Sequence, residues 1–165
     1  MNTIARSLFI TAVAVSSAAI AQGTAGLVSE RSISTSAALE LAGTALDKCR
    51  ADGYKVSITV LNRHARTAVM VSDDGVNPHT VENSLRKAYT AFTTRSPSVE
   101  MGKRVQPNLA GFMQLEKITT IEGGLPIFAG KELVGSVGIS GAPGGEKDAA
   151  CAQAGIDKIA RSLGN

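Results

Sequence analysis

Tryptophan is absent from this chain of 165 residues, and there are only two tyrosines and four phenylalanines. Apart from Phe9, the aromatic residues are Tyr54, Tyr89, Phe92, Phe112 and Phe128, a set that does not suggest the walls of a deep ring-binding pocket. Lys and Arg, 17 against 14 Asp and Glu, form no clustered run, so the basic footprint of a nucleic-acid partner is missing. There is no H-E-x-x-H and no metal-spaced His/Cys group. G-x-S-x-G is absent as well, since Gly135-Ser136-Val137-Gly138 departs from it and lies in a strand pattern. The glycine-rich stretch 141–145 is not followed by G-K-[ST] and belongs to no β-α-β unit, which excludes Walker and dinucleotide fingerprints. Neither cysteine stands in C-x-x-C or C-x-x-C-H, which argues against a thioredoxin-like site and against covalent c-type haem.

The amino terminus carries Arg6 as its only early charge, then an uncharged run over 7–20 and Ala19-Ile20-Ala21 before Gln22. This is the pattern of a secretory signal peptide over residues 1–21. The competing reading, a membrane anchor, is disfavoured because the run is short and rich in Ala and Ser for a hydrocarbon core of about 30 Å. No lipobox cysteine follows it, the first cysteine being Cys49. Residues 22–33 read as a flexible lead-in and 34–165 as one domain, exported to the periplasm or the medium. In that compartment Cys49 and Cys151 either form a disulfide, worth about 3–5 kcal/mol for so long a loop, or stay as buried free thiols.

Helical spacing of Leu39, Ala42, Leu46 and Cys49, with Ser34 as N-cap and Gly53 as stop, predicts a first helix over 35–52. A hairpin follows, with strands near 56–60 and 67–72 around Asn62-Arg63-His64-Ala65. Asn77-Pro78 then opens a second helix with Val81, Leu85, Ala88 and Phe92 on its apolar face. A short third helix fits between Ser96-Pro97 and Pro107. Three strand signals, 117–121, 125–129 and 133–140, have glycine-containing links and read as a meander, and a last helix covers 148–163. Short turns between strands predict an α+β domain with an antiparallel sheet and helices on its faces.

Three blocks carry a resemblance to a known family: Lys87-Ala88-Tyr89-Thr90-Ala91 with Ser96-Pro97-Ser98; Gly123-Gly124-Leu125-Pro126-Ile127; and Val134-Gly135-Ser136-Val137-Gly138-Ile139-Ser140-Gly141 with Gly144-Gly145 and Asp148-Ala149-Ala150-Cys151. With Gly53-Tyr54-Lys55-Val56 they cover nearly all of the mature chain. The chain resembles the GlcG/HbpS group of haem-binding and haem-degrading-domain proteins. That resemblance implies a profilin-like fold with a five-stranded antiparallel sheet between helical layers. It also implies first and last helices that can bring Cys49 near Cys151, and a homo-oligomer. The function it implies is non-covalent haem binding that sequesters or senses haem. The alternatives are an oligomeric scaffold that contacts a sensor protein without tight haem binding, and a weak haem-degrading enzyme, although no residue set shows how oxygen would be activated.

His79, at the start of the second helix, is the candidate iron ligand, because a neutral imidazole is a good axial donor. The plainer alternative is a solvated helix-start histidine. His64 lies in the hairpin turn, where the family more often has a small residue and where Asn62 replaces a more usual aspartate. It is either an added ligand or a turn decoration. Lys87 and Arg86 are candidates to pair with a haem propionate or another small anion, or they belong to a solvated helix face. Gly123-Gly124 and the loop 141–145 offer backbone N–H groups to an anion, or are simply tight turns. Asp73-Asp74 either holds a cation or, as is usual for an acidic pair in a turn, is solvated.

Overall fold

The computed structural model describes residues 26–104 and 107–164. The predicted leader, 1–21, lies outside the described residues. Among those described, no helix is long and apolar enough to cross a membrane.

Helix α1 (Thr35–Ala51) starts where Ser34 Oγ accepts the Ala37 N–H at 3.2 Å, and it stops at Asp52 before Gly53, whose φ of 83° suits only glycine without strain. Its buried stripe is Ala38, Leu41, Ala42, Ala45, Leu46 and Cys49, whereas Leu39, expected on that stripe, is 56% exposed. The small residues explain the difference. They let α1 lie close to α4 (Gly145–Ile159), where any Cβ on Gly155 would press on the Leu41 carbonyl. A disulfide joins Cys49 to Cys151 across this contact, Cα to Cα 5.6 Å. Ile33, at the end of the stretch read as lead-in, is buried, and its N–H donates to the Val134 carbonyl at 3.0 Å.

Strands β1 (Ser57–Asn62), β2 (Thr67–Ser72), β3 (Gly124–Ala129) and β4 (Glu132–Ser140) form one sheet in the order β2-β1-β4-β3, every neighbouring pair antiparallel. The sheet has four strands, not the five expected. Residues 117–121 do not pair with β3. The Thr119 N–H donates to Thr90 Oγ1 at 3.0 Å, the Ile121 N–H to Thr119 Oγ1 at 3.2 Å, and the Ile121 carbonyl accepts from Ser98 Oγ at 2.7 Å. Side-chain hydroxyls thus satisfy this segment's backbone in place of a ladder. On β3, Pro126 removes a donor that a fifth strand would need, and Ser98 bonds both the N–H and the carbonyl of Gly124.

Helix α2 (His79–Thr94) covers one face of the sheet, while α1 and α4 cover the other. A short α3 (Val99–Arg104) and a 3-10 turn (Pro107–Gln114) lead on towards β3. Alternation along the strands separates the two faces. Ile58, Val60, Val137 and Ile139 join the apolar core beneath α1 and α4. Ser57, Thr59, Ser136, Gly138 and Ser140 alternate with them and meet α2.

The expected apolar face of α2 is therefore not its buried face. Its buried residues are Thr80, Ser84, Lys87, Ala88, Thr90 and Ala91, and Val81, Leu85 and Phe92 are only half-buried. The strand chemistry selects this orientation. Gly138 lets the α2 backbone approach so closely that any Cβ there would strike the Ser84 carbonyl. Hydroxyls pair across the gap: Thr80 Oγ1 donates to the Asn77 carbonyl at 2.7 Å, so Ser57 donates to Thr80 at 2.8 Å. Likewise Ser84 donates to the Val81 carbonyl, so Thr59 donates to Ser84, both at 2.8 Å. Asn77 caps α2 through its carbonyl, which takes the Thr80 N–H at 3.0 Å, rather than through its side chain.

Candidate functional site

The three sequence blocks that carry the family resemblance converge on one buried ion pair. Lys87, the largest fully buried side chain, donates from Nζ to Asp148 Oδ2 at 2.6 Å and to the Ile139 carbonyl at 2.8 Å. Asp148 Oδ1 accepts the Ala142 N–H at 3.1 Å, which ties the loop after β4 to the same carboxylate. Gly123, at φ 120°, packs directly on the pair, since a Cβ there would fall against Asp148, Lys87 Nζ and the Ile139 carbonyl. Burial pushes the Lys87 ammonium below the ordinary lysine range, and the charge and hydrogen bond of Asp148 only partly oppose it. Burial likewise pushes Asp148 up against the pull of Lys87. Lys87 thus serves an internal carboxylate, which leaves it poorly placed for the propionate role considered for it from sequence.

Two adjoining cavities open beside this pair. The inner cleft, about 260 Å³, is bounded by Thr80, Asn83, Lys87 and Asp148, by Ser140, and by the backbone of 141–145. The outer rim, about 360 Å³, is formed by His79, Glu82, Asn83, Arg86 and Ile121. His79, Asn83 and Ile121 belong to both. Helical periodicity produces the grouping, because positions 79, 83, 86 and 87 recur on one flank of α2.

At the rim, His79 is exposed, and its imidazole makes no hydrogen bond or ion pair among the described residues. Arg86 Nε pairs with Glu82 Oε1 at 3.1 Å on the exposed side, and Ile121, 50% exposed, supplies an apolar wall. His64 is not brought to this place. It sits in the turn after β1, at the far end of the strand from Ser57 and roughly 20 Å away along it. Asn62 explains that turn: its Oδ1 accepts the N–H groups of His64 at 2.9 Å and Arg66 at 3.1 Å.

The glycine loop differs from the anion cradle considered from sequence. The Glu146 carboxylate folds back over Gly144, Gly145 lies against Glu122, and Asp148 is beneath, so acidic groups already surround the start of α4. Residues that sequence reading did not single out are Asp148, Asn83 and Ser140. Asp148 had a signal, because it stands in the third block and a buried lysine requires a partner. Asn83 had only its spacing of one turn from His79, and Ser140 had only its place in the third block.

No Phe or Tyr ring lines either cavity among the described residues. Tyr89 and Tyr54 are instead covered by Lys117 and Lys147, each 5.5 Å from the ring centre. An inner cleft of this size does not admit a porphyrin, whereas the open rim offers what an edge-bound haem needs: a free imidazole, an apolar side chain and a guanidinium.

A family model described as haem degrading protein HbpS-like matches residues 33–157. The fold is similar to a double mutant of Streptomyces reticuli HbpS, with a TM-score of 0.77 at 29% identity over 87% of this chain and 97% of the other. It is also similar to PduOC, solved as a haem complex, with a TM-score of 0.72 at 25% identity over 78% of this chain and 95% of that one. In sequence, an uncharacterised 15.0 kDa protein from the dhaT-dhaS intergenic region of Citrobacter freundii is 30% identical over 113 residues, 66% of this chain and 80% of that protein.

Proposed function

Because the chain belongs to the HbpS-like family, we propose that it is an exported protein that binds haem non-covalently at the rim beside α2. The single observation that carries the reading is the exposed His79 imidazole, uncommitted to any described group and set beside Ile121 and Arg86. His79 would ligate the iron, Ile121 would cover part of the macrocycle, and Arg86 would exchange Glu82 for a propionate. Bound haem would supply the iron centre, and these residues would only hold and orient it. A relative solved with haem, PduOC, supports the same reading.

Haemin titration of the purified apo-protein tests it. A saturable Soret shift is expected, with the shift altered in His79→Ala and the affinity several-fold weaker in Arg86→Ala. No Soret shift in the parent protein would overturn haem binding and leave the haem-free scaffold that contacts a sensor. An unchanged spectrum in His79→Ala would remove His79 alone. Haem that stays intact after prolonged incubation with reductant would favour a carrier over the degrading activity in the family's description.

Export is proposed on the leader pattern over 1–21 and on the Cys49–Cys151 disulfide, which persists in oxidising compartments. Sequencing the amino terminus of protein recovered from a bacterial periplasm or medium should find Gln22 first. Assembly into a homo-oligomer belongs to the same proposal, and sedimentation of the oxidised protein measures it directly.

A further inference from the structure

We propose that the inner cleft is a second binding site, distinct from the rim, for a small neutral solute with neighbouring hydroxyl or carbonyl groups. Three parts of the fold meet there: the first turns of α2 through Thr80, Asn83 and Lys87, the end of β4 through Ser140, and the loop 141–145 before α4. Thr80, Lys87, Ser140 and Asp148 are all at least nine-tenths buried, so the cleft reaches polar groups withdrawn from bulk water.

Hydrogen-bond accounting shows what those groups have left to offer. Asn83 Nδ2 donates to Ser140 Oγ at 2.9 Å. The Ser140 proton and the Asn83 Oδ1 take part in no hydrogen bond among the described residues, which leaves a donor and an acceptor side by side. A pair of adjacent hydroxyls complements that arrangement, one accepting from Ser140 and one donating to Asn83.

Charge selects against ions of either sign. Lys87 and Asp148 neutralise each other at the floor. Among the described residues Lys87 and Asp148 are the only Lys, Arg, Asp or Glu that line the cleft, so an ion of either sign would lose hydration there without an unpaired counter-charge, and Glu122 and Glu146 beside the glycine loop add a further cost for an anion. The volume, about 260 Å³, is that of roughly eight waters, enough for a short polyol and far from enough for a porphyrin. The site stands whether or not the rim holds haem.

Nuclear magnetic resonance of the oxidised, isotope-labelled protein tests it with three matched probes: erythritol, the anion tartrate, and protonated serinol. Erythritol should shift the Gly144 and Gly145 amides and the Asn83 side-chain amide in a saturable way, with affinity at least tenfold above the other two. Ser140→Ala and, independently, Asn83→Leu should weaken erythritol at least fivefold. Ser140→Ala should leave the haemin titration unchanged, so that failure of the rim reading and failure of this one are distinguishable. Non-saturating shifts with every probe would mean a cleft that holds water only and would overturn the proposal. Tighter binding of tartrate or serinol, or full erythritol affinity in both variants, would overturn it too.

Discussion

The two faces of the sheet are built from opposite materials. Beneath α1 and α4 the strands present Ile58, Val60, Val137 and Ile139 to Leu41, Ala42, Ala45 and Ile159, and a disulfide crosses the layer. Beneath α2 the same strands present Ser57, Thr59, Ser136, Gly138 and Ser140 to Thr80, Ser84 and Lys87. Apolar burial contributes in proportion to area and tolerates sliding, so the first face supplies stability with little directional demand. A hydroxyl pair contributes only about 1 kcal/mol net but leaves an unpaired buried group when misaligned, so the second face fixes the register of α2. Both cavities lie on that face, and their lining residues are held by the directional layer.

The sharpest way to break the comparison is at Lys87. Lys87→Met should cost about 3–5 kcal/mol, because it strands the Asp148 carboxylate in a buried site. Adding Asp148→Leu should recover most of the loss, since two apolar side chains replace two desolvated charges. Urea unfolding of both singles and the double measures this. A double variant no better than Lys87→Met would show that the pair is more than a paired burial cost. On the opposite face, replacing Cys49 and Cys151 with alanine should cost about 2–4 kcal/mol, chiefly by releasing the unfolded chain. The haemin and erythritol titrations should be unaffected by that change, because the staple does not touch α2. A smaller effect, about 1 kcal/mol, is expected for Thr59→Val, which removes the donor to Ser84 while keeping the shape.

The same contrast explains what was legible in the sequence. In the apolar layer the helix and strand segments follow period and punctuation: Ser34 and Gly53 bound α1, and alternation marks β1 and β4. Hydrophobic periodicity failed where the buried surface is polar. On α2 the apolar stripe of Val81, Leu85 and Phe92 looked like the core side, but the hydroxyl and glycine face of the sheet takes Thr80, Ser84 and Lys87 instead. Residues 117–121 alternate like a strand, yet their backbone bonds go to hydroxyls of Thr90, Thr119 and Ser98, which no periodicity reveals. At the site, His79, Arg86 and Lys87 were visible as residue types, but the acid that claims Lys87 lies 61 residues further on and needs the fold to be found.

The smallest expected effect concerns pH, and it sets one aspartate from each face against the other. Asp73 lies at the end of β2 and accepts from Arg50 at the end of α1, with Nη2 at 2.8 Å and Nε at 3.2 Å from Oδ1. That hydrogen bond holds its carboxyl below the usual carboxylate range. Its contribution is therefore present above the unfolded value of about 3.9 and is lost as pH falls through the lower folded value. Asp148 is displaced the other way by burial, so its native form takes up a proton at higher pH than the unfolded chain does, and this group favours the native state increasingly as pH falls through its raised value. Unfolding free energies from pH 3 to 8 should show the penalty of Asp73→Asn shrinking towards acid. In the Lys87→Met background, where Asp148 is unpaired, the loss should also shrink towards acid, because protonation removes the stranded charge. High salt should reduce the Asp73 effect, which depends on a partly solvated pair, and leave the Asp148 effect in place. Equal salt sensitivity at the two sites would mean that the polar face is wetter than its packing implies.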